Sequence, residues 1–167
     1  IDKDTSGLLM VAKNDITHRA LAQQLAEHSI ARMYQAVVFH NIKEDSGTID
    51  APIGRDPNHR LRMAVTEKNS KPAITHYQVE ERFGRFTRIT ARLETGRTHQ
   101  IRVHMAHRGH PLLGDAVYGP KKQPAALQGQ ALHAQLLGFC HPKTGDHMEF
   151  TAQPPEEFQK LVQKLRR

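Results

Sequence analysis

Apolar residues along this chain recur mainly at every second position, which is the spacing of strands with one buried face. Residues 86–93 show the pattern most clearly, since the side chains from Thr87 to Leu93 alternate with a row of charged and polar ones. Residues 73–80 precede them across a turn that contains Gly84, so the two segments predict a β-hairpin. Short apolar segments predict further strands at residues 8–12, 33–39, 132–140 and 148–152.

Three other segments repeat their apolar residues at helical spacing. The first follows a capping residue, Asn14 or Asp15, the second spans residues 98–108, and the third opens at Pro155. Because the strands predominate and are joined by turns, we predict an α+β fold with a mixed, largely antiparallel sheet and flanking helices. No repeat or linker divides the chain, so residues 1–167 should form one domain.

The chain is basic, with 24 Lys and Arg against 17 Asp and Glu and a formal net charge of +7. Such an excess favours acidic partners, chiefly nucleic acid. No apolar run approaches the roughly 18 residues of a membrane span, and no signal segment opens the chain, so we expect no membrane association. Ile1 stands where an initiator Met would, from which we expect that an upstream part of the protein is missing.

The one cysteine, Cys140, excludes an intramolecular disulfide and argues against a cysteine-rich metal site. Low cysteine usage is typical of a reducing compartment, and we therefore expect a cytoplasmic protein. Between Phe139 and His141 we expect Cys140 to fill a small apolar space rather than to react.

Histidine is frequent, with 12 in the chain, and His104, His107 and His110 stand three residues apart. Zinc sites use such residues, but the HExxH pattern is absent and a helix is predicted to end between them. We therefore predict no metal site and expect surface and helix-capping histidines beside a phosphate-rich partner. A zinc-dependent hydrolase built on this cluster is an alternative that would require stoichiometric bound metal.

Neither a serine nucleophile nor a nucleotide cofactor is indicated. Ser6 is followed by Gly7, but Asp4 stands where the first glycine of a hydrolase elbow belongs. Glycine patterns for phosphate or dinucleotide binding are absent as well, so no cofactor is predicted. Asp2 and Asp4 would share one side of an extended segment, and spacing alone gives neither of them a role.

Arginine and histidine concentrate in two places. Residues 93–104 run from an alternating strand through Gly96 into a helical segment. Such a turn offers backbone N–H groups and guanidinium groups to a polyanion or to a reacting carboxylate. Residues 54–63 form a basic loop in which Arg55, Arg60 and Arg62 either grip an RNA backbone or are simply solvated.

Four motifs in order resemble those of RluA-type pseudouridine synthases, and they are spread over most of the chain. Residues 1–9 resemble the end of the family's His-Arg-Leu-Asp-Lys-x-Thr-Ser-Gly signature, whose His-Arg pair would precede Ile1. The others are Arg32-x-Tyr34-x-Ala36, residues 94–104, and residues 110–115 with Tyr118 and Gly119. Residues 47–55 and 62–65 are similar to the RluD-like branch, which modifies large-subunit ribosomal RNA.

The resemblance implies a pseudouridine synthase catalytic domain over residues 1–167, truncated at its N-terminus, that isomerises specific uridines in large-subunit ribosomal RNA. It implies that Asp2 is the catalytic aspartate, that Arg97 pairs with it, and that Tyr34 stacks against the target base. Such an isomerisation requires no cofactor, and the uridine is expected to be flipped out of its stack.

Five RNA-binding residues complete the predicted site. They are Arg55, Arg60, Arg62, His99 and Arg102. The predicted partner is RNA, and the protein is expected to act as a monomer. The alternative from another class, which the basic excess fits equally well, is a non-catalytic RNA-binding domain or an inactive homologue.

Overall fold

The computed structural model describes residues 1–123 and 127–167 of the chain. Within these residues there are three helices, α1 (Asp15–Ala26), α2 (Gln100–His107) and α3 (Glu156–Leu165). The strands are β1 (Ser6–Gly7), β2 (Ala31–Phe39), β3 (Ser46–Asp50), β4 (Ile53–Arg55), β5 (Met63–Val65), β6 (Ser70–Lys71), β7 (Ile74–Arg82), β8 (Phe86–Leu93), β9 (Leu132–Cys140) and β10 (His147–Thr151).

Most strands belong to one sheet in the order β1-β9-β2-β8-β7-β3, with β10 also paired to β9. Only the short β1–β9 pairing is parallel, and the other pairings described in this sheet are antiparallel. A second sheet of order β5-β4-β6 lies beside it. The predicted α+β class with a mixed, largely antiparallel sheet is therefore confirmed, as is the β7–β8 hairpin.

The central strand β2 is buried on both faces, because Val37 and its neighbours Ala36 and Val38 are all inaccessible to solvent. Val37 packs with Phe158 and other apolar residues of α3 on one face. Ala36 and Val38 pack on the other face with Met105 of α2 and with β8. Helix α2 is thereby fixed against this face of the sheet.

The predicted helices are all present, but α1 buries little. Asn14 caps α1 as predicted, since its side chain accepts a hydrogen bond from the Thr17 N–H at 2.9 Å. Leu21 is the only residue of α1 that is buried, and Leu25 is 40% exposed. No helix within the described residues is both long and apolar enough to cross a bilayer.

The strand predicted at residues 8–12 is wrong. Leu9 and Val11 are 63% and 75% exposed, and the segment forms no strand beyond β1. The reason lies in β9, because β1 pairs with residues 133 and 134 and β10 occupies the following positions along the same edge. An apolar run without a free strand edge has no ladder to join.

The expectation for Cys140 is also wrong, since this residue is exposed at the end of β9. Its backbone N–H donates to the side-chain oxygen of Gln24 on α1 at 2.9 Å. Cys140 therefore marks a contact between β9 and α1 at the surface and fills no apolar space.

Candidate active site

A cavity of about 400 Å³ opens where the N-terminal segment meets β2 and the segment that leads from β8 into α2. Asp2 lines it from the N-terminal segment and Tyr34 from β2. Arg97 and Ile101 line it from the other side. The structure thus brings together Asp2, Tyr34 and Arg97, the three residues predicted to be catalytic.

Arg102 of α2 stands behind Asp2 and is only 5% exposed. Its Nε and Nη2 donate to the two carboxylate oxygens of Asp115 at 2.7 and 3.0 Å. Its Nη1 donates to Oδ2 of Asp2 at 3.4 Å. One buried guanidinium therefore bridges a fully buried carboxylate and a carboxylate that faces the cavity.

Arg102 and Asp115 stabilise each other's charge. Burial alone would raise the pKa of the Asp115 carboxyl, but hydrogen bonds from Arg102 and from the Tyr118 and Val117 backbone N–H groups hold it below its ordinary value. Burial alone would lower the pKa of Arg102, and its bonds to Asp115 together with the charge of Asp2 raise it instead. Both groups therefore keep their charges inside the protein.

The predicted ion pair between Arg97 and Asp2 does not form in the structure. Arg97 lies in the turn before α2, and its Nε donates to the carbonyl oxygen of Pro72 at 2.9 Å. Arg102 takes the predicted place, because it stands on the buried side of the helix where Asp115 holds it. Arg102 also leaves the predicted RNA-binding surface, since it is buried and bonded to two carboxylates.

Tyr34 stands in β2 opposite an irregularity in β9, because Met33 pairs with Leu136 and Tyr34 pairs with Ala134, which leaves Gln135 as an extra residue in β9. The pairing of β2 with β8 is regular here, so Tyr34 keeps its place in the alternation of β2. Burial raises the pKa of Tyr34, the charge of Arg32 opposes this, and the charge of Asp2 adds to it. The Tyr34 hydroxyl is therefore protonated across the neutral range, beside Asp2 in the same cavity.

Two residues that sequence reasoning missed, Gln100 and Asp115, hold the side chains and backbone of the site in place. Gln100 is 3% exposed, and its Oε1 accepts from the Arg97 N–H at 2.9 Å and from the Thr95 hydroxyl at 2.8 Å. Asp115 fixes Arg102 from outside the turn between β8 and α2. Both roles depend on burial, which the sequence does not show directly. The only sequence signal for Gln100 and Asp115 was that they lie inside the third and fourth motifs.

His99, predicted to bind RNA, instead belongs to a cluster around Tyr118. Its Nδ1 lies 2.8 Å from the Tyr118 hydroxyl, which also accepts the Met63 N–H at 2.9 Å. The guanidinium carbons of Arg62 and Arg102 lie 5.2 and 5.1 Å from the centroid of the Tyr118 ring. Burial and the charge of Arg102 lower the pKa of His99, although Asp2 and Asp115 oppose them. His99 thus contacts Tyr118 beside the site, and its binding to RNA stays a prediction.

The predicted basic loop joins β4 to β5 and is largely exposed. Arg55 stands on β4 and donates from Nη1 to the carbonyl oxygen of Arg60 at 2.8 Å. A second cavity of about 320 Å³ contains Arg55 and Lys71, and it adjoins the first because both include Gly96, Arg97 and Thr98. The structure therefore brings Arg55 next to the first cavity, whereas Arg60 and Arg62 line neither cavity.

The histidines predicted at the surface are not all there. His104 is fully buried, with its ring nitrogens 2.9 Å from the Thr75 hydroxyl and 2.9 Å from the Ala51 carbonyl oxygen. Burial is the main reason why the pKa of His104 is lowered. Across residues 1–123 and 127–167, no group of three or more His, Cys, Asp or Glu side chains is arranged to hold a metal ion.

Comparison with known proteins gives a consistent result. A family model described as RNA pseudouridylate synthase matches residues 1–107. The uncharacterized RNA pseudouridine synthase YlyB of Bacillus subtilis is 56% identical over 167 residues, covering 100% of this chain and 54% of that protein. The ribosomal large subunit pseudouridine synthase D of Zymomonas mobilis is 48% identical over 173 residues, covering 99% of this chain and 54% of that protein.

A solved structure agrees. Human RNA pseudouridylate synthase domain containing 1 superposes with a TM-score of 0.81 at 28% identity, covering 99% of this chain and 78% of that one. The chain spans about half the length of the curated relatives that it matches, at 54% for two of them.

Proposed function

This chain belongs to the RNA pseudouridylate synthase family, and from that premise we propose that the protein isomerises uridines of large-subunit ribosomal RNA to pseudouridine. The observation that carries the proposal is the Asp2 carboxylate, which faces a cavity of about 400 Å³ beside Tyr34 and is oriented by the buried Arg102. The ribosomal substrate is supported by the name of the Zymomonas relative. With such a substrate, the protein would act in the cytoplasm, and we expect it to act as a monomer.

The reaction is an internal rearrangement of one nucleotide. The bond between N1 and C1′ breaks, the base turns, and C5 joins C1′, with one proton leaving C5 and one arriving at N1. No electrons are exchanged and no group is added, so the residues of this site need no cofactor. What the site has to supply is a placed carboxylate, a surface for the base and a proton-transfer group.

We assign the first of these tasks to Asp2. A carboxylate can attack the nucleotide or stabilise the intermediate in which base and sugar are separated. Arg102 fixes the direction of the Asp2 carboxylate, and Asp115 fixes Arg102 in turn. Arg102 is therefore a positioning residue here, in the role that the sequence had given to Arg97.

We assign the other two tasks to Tyr34. Its ring gives a flat apolar face for the base, and its hydroxyl, held protonated by burial, is available for proton transfer. A uridine can reach this cavity only after it leaves its stack, so base flipping is part of the proposal. The exposed Arg55 and Arg60, with the partly buried Arg62, would bind the RNA backbone beside the cavity.

The test is to incubate the full-length protein with large-subunit ribosomal RNA that lacks modifications and to map pseudouridine by chemical probing. We expect new pseudouridine at a small number of defined positions, absent from RNA incubated without protein. RNA binding without modification would contradict the proposal and favour the non-catalytic RNA-binding domain.

A further inference from the structure

Two arginines at the first cavity, Arg32 and Arg97, have no carboxylate within 4.0 Å of either guanidinium among the described residues. The best contact of Arg32 is a long one, from Nη2 to the carbonyl oxygen of Glu94 at 3.5 Å. Its Nε is buried and has no hydrogen-bond partner in the part of the chain that the structure describes. In the Arg97 guanidinium only Nε donates a hydrogen bond, to the Pro72 carbonyl oxygen. Its two Nη groups have no partner within residues 1–123 and 127–167.

This arrangement is unfavourable in the empty protein. Burial lowers the pKa of Arg32, the nearby Tyr34 opposes this, and the charge of Arg97 lowers it further. Arg102, in the same site, is compensated by two carboxylates. Two neighbouring cations without such compensation are typical of a site whose anion arrives with a ligand.

The chain makes room for Arg32 at Gly96. A Cβ at position 96 would collide with Nη1 of Arg32, so any other residue would displace the guanidinium from the cavity wall. Arg32 also stands two residues before Tyr34 in β2, and the two side chains therefore share one face of the strand. The position of Arg32 is set by the fold, next to the residue assigned to the base.

Arg97 connects this wall to the surface. It belongs both to the first cavity and to the adjoining one, which also contains Arg55 and Lys71. A line of positive groups therefore leads from the exposed basic loop to the cavity of Asp2 and Tyr34. A chain of phosphates matches such a line better than a single free anion does.

We propose that Arg32 and Arg97 form a phosphate subsite that holds the RNA phosphate adjoining the flipped nucleotide. The inference rests on the proposed function, because it takes RNA as the polyanion. Holding that phosphate on one side of the cavity fixes the attached sugar, and thus the distance from C1′ to the Asp2 carboxylate. The phosphate keeps its bonds throughout, so the subsite only positions the substrate.

The test is a double-mutant cycle between each arginine and each phosphate that flanks the mapped uridine. Stem-loop RNAs carry a neutral methylphosphonate at one flanking position at a time, and kcat/KM is measured with the full-length protein. Arg97→Gln and Arg32→Gln are compared with wild type. Arg19→Gln, on the exposed surface of α1 and away from both cavities, is the matched control.

With wild type and Arg19→Gln, we expect one methylphosphonate position to lower kcat/KM by roughly 10- to 100-fold, the loss of a charged hydrogen bond. With Arg97→Gln or Arg32→Gln on unsubstituted RNA, we expect a similar loss, and the same methylphosphonate should then add nothing. If the methylphosphonate lowers kcat/KM in both Gln variants by the same factor as in wild type at every flanking position, the two losses are independent and the subsite is overturned. Arg97 lies in the turn between β8 and α2, so we expect Arg97→Gln to fold. That variant tests the subsite even if Arg32→Gln does not fold.

A separate binding measurement distinguishes failure of the subsite from failure of the proposed function. If wild type forms no pseudouridine, the proposed function fails, and affinity for unmodified large-subunit ribosomal RNA is then measured against salt concentration. Each Gln variant should reduce the slope of log affinity against log salt by about 0.7, the value for a contact to single-stranded RNA. Slopes equal to that of Arg19→Gln would overturn the subsite.

Discussion

At the scale of the residue, the site depends on how the nitrogens of Arg102 are shared. Two of them are bound to Asp115 and one to Asp2, so a planar fork with three donating nitrogens is needed to reach both carboxylates. A lysine ammonium has the charge but lacks this geometry. Arg97 has no comparable requirement, because the carbonyl oxygen of Pro72 is the only hydrogen-bond partner of its side chain among the described residues.

This difference predicts unequal effects of the same conservative substitution. Arg102→Lys should lower the single-turnover rate constant at saturating protein by about 100-fold or more, because Asp2 loses its orientation. Arg97→Lys should leave that rate constant close to wild type, since the charge beside the RNA is kept. Thermal melting of both variants controls for folding. A large loss in Arg97→Lys with a normal Arg102→Lys would return the pairing role to Arg97.

Asp115 carries the stability of the same network. Asp115→Asn leaves the buried Arg102 guanidinium without its main counter-ion, and we expect the free energy of unfolding to fall by about 3–5 kcal/mol. The matched control is Asp45→Asn, because Asp45 pairs with Arg82 at 2.6 Å but is 90% exposed. That variant should lose less than about 1 kcal/mol. Equal losses in urea denaturation would show that Asp115 is no buried ion-pair partner.

The lowered pKa of Asp115 also gives stability a pH dependence. The unfolded carboxyl titrates near 3.8 and the folded one below it, so this contribution is complete above pH 3.8 and lost as the pH falls through the folded pKa. Below pH 3.8, the unfolding free energy of wild type should therefore fall more steeply than that of Asp115→Asn. Urea titrations at a series of acidic pH values measure both, and parallel curves would contradict the assignment.

At the scale of the element, the spacing of apolar residues predicted those helices and strands whose formation depends mainly on residues close in sequence. The hairpin β7–β8, strand β9 and the buried face of α3 follow from alternation or helical spacing, and each is present where predicted. The segment 8–12 has the same local signal but no strand edge to join. Similarly, Arg97 and Arg102 both stand in residues 94–104, and the ion pair with Asp115, which is distant in the sequence, is formed by the buried Arg102.

The loop between β4 and β5 carries an electrostatic prediction of its own. Changing Arg55, Arg60 and Arg62 to Gln should reduce the slope of log RNA affinity against log salt by about 0.7–0.9 for each phosphate that the loop no longer binds. The control removes three exposed charges elsewhere, at Arg19, Arg108 and Lys164. If both triple variants have the wild-type slope, the loop is solvated and does not touch RNA.

At the scale of the whole molecule, the site exists because a central strand is covered on both faces. Helix α3 closes one face of β2 and helix α2 the other, and the cavity opens where β2 begins and β8 ends, beside the start of α2. Residues from the first and the second third of the chain thereby meet. Part of the basic excess stands at this opening, where Arg55, Lys71 and Arg97 adjoin the cavity.

The most direct measurement of the central claim is single-turnover pseudouridine formation by full-length wild type, Asp2→Asn and Asp4→Asn on the mapped ribosomal RNA. Asp4 is exposed, lies outside the cavity and has φ of 65°, which Asn tolerates, so Asp4→Asn is a matched control. We predict that Asp2→Asn forms no pseudouridine while binding the RNA nearly as well as wild type, and that Asp4→Asn is active. Full turnover by Asp2→Asn would contradict the claim that this carboxylate carries the reaction.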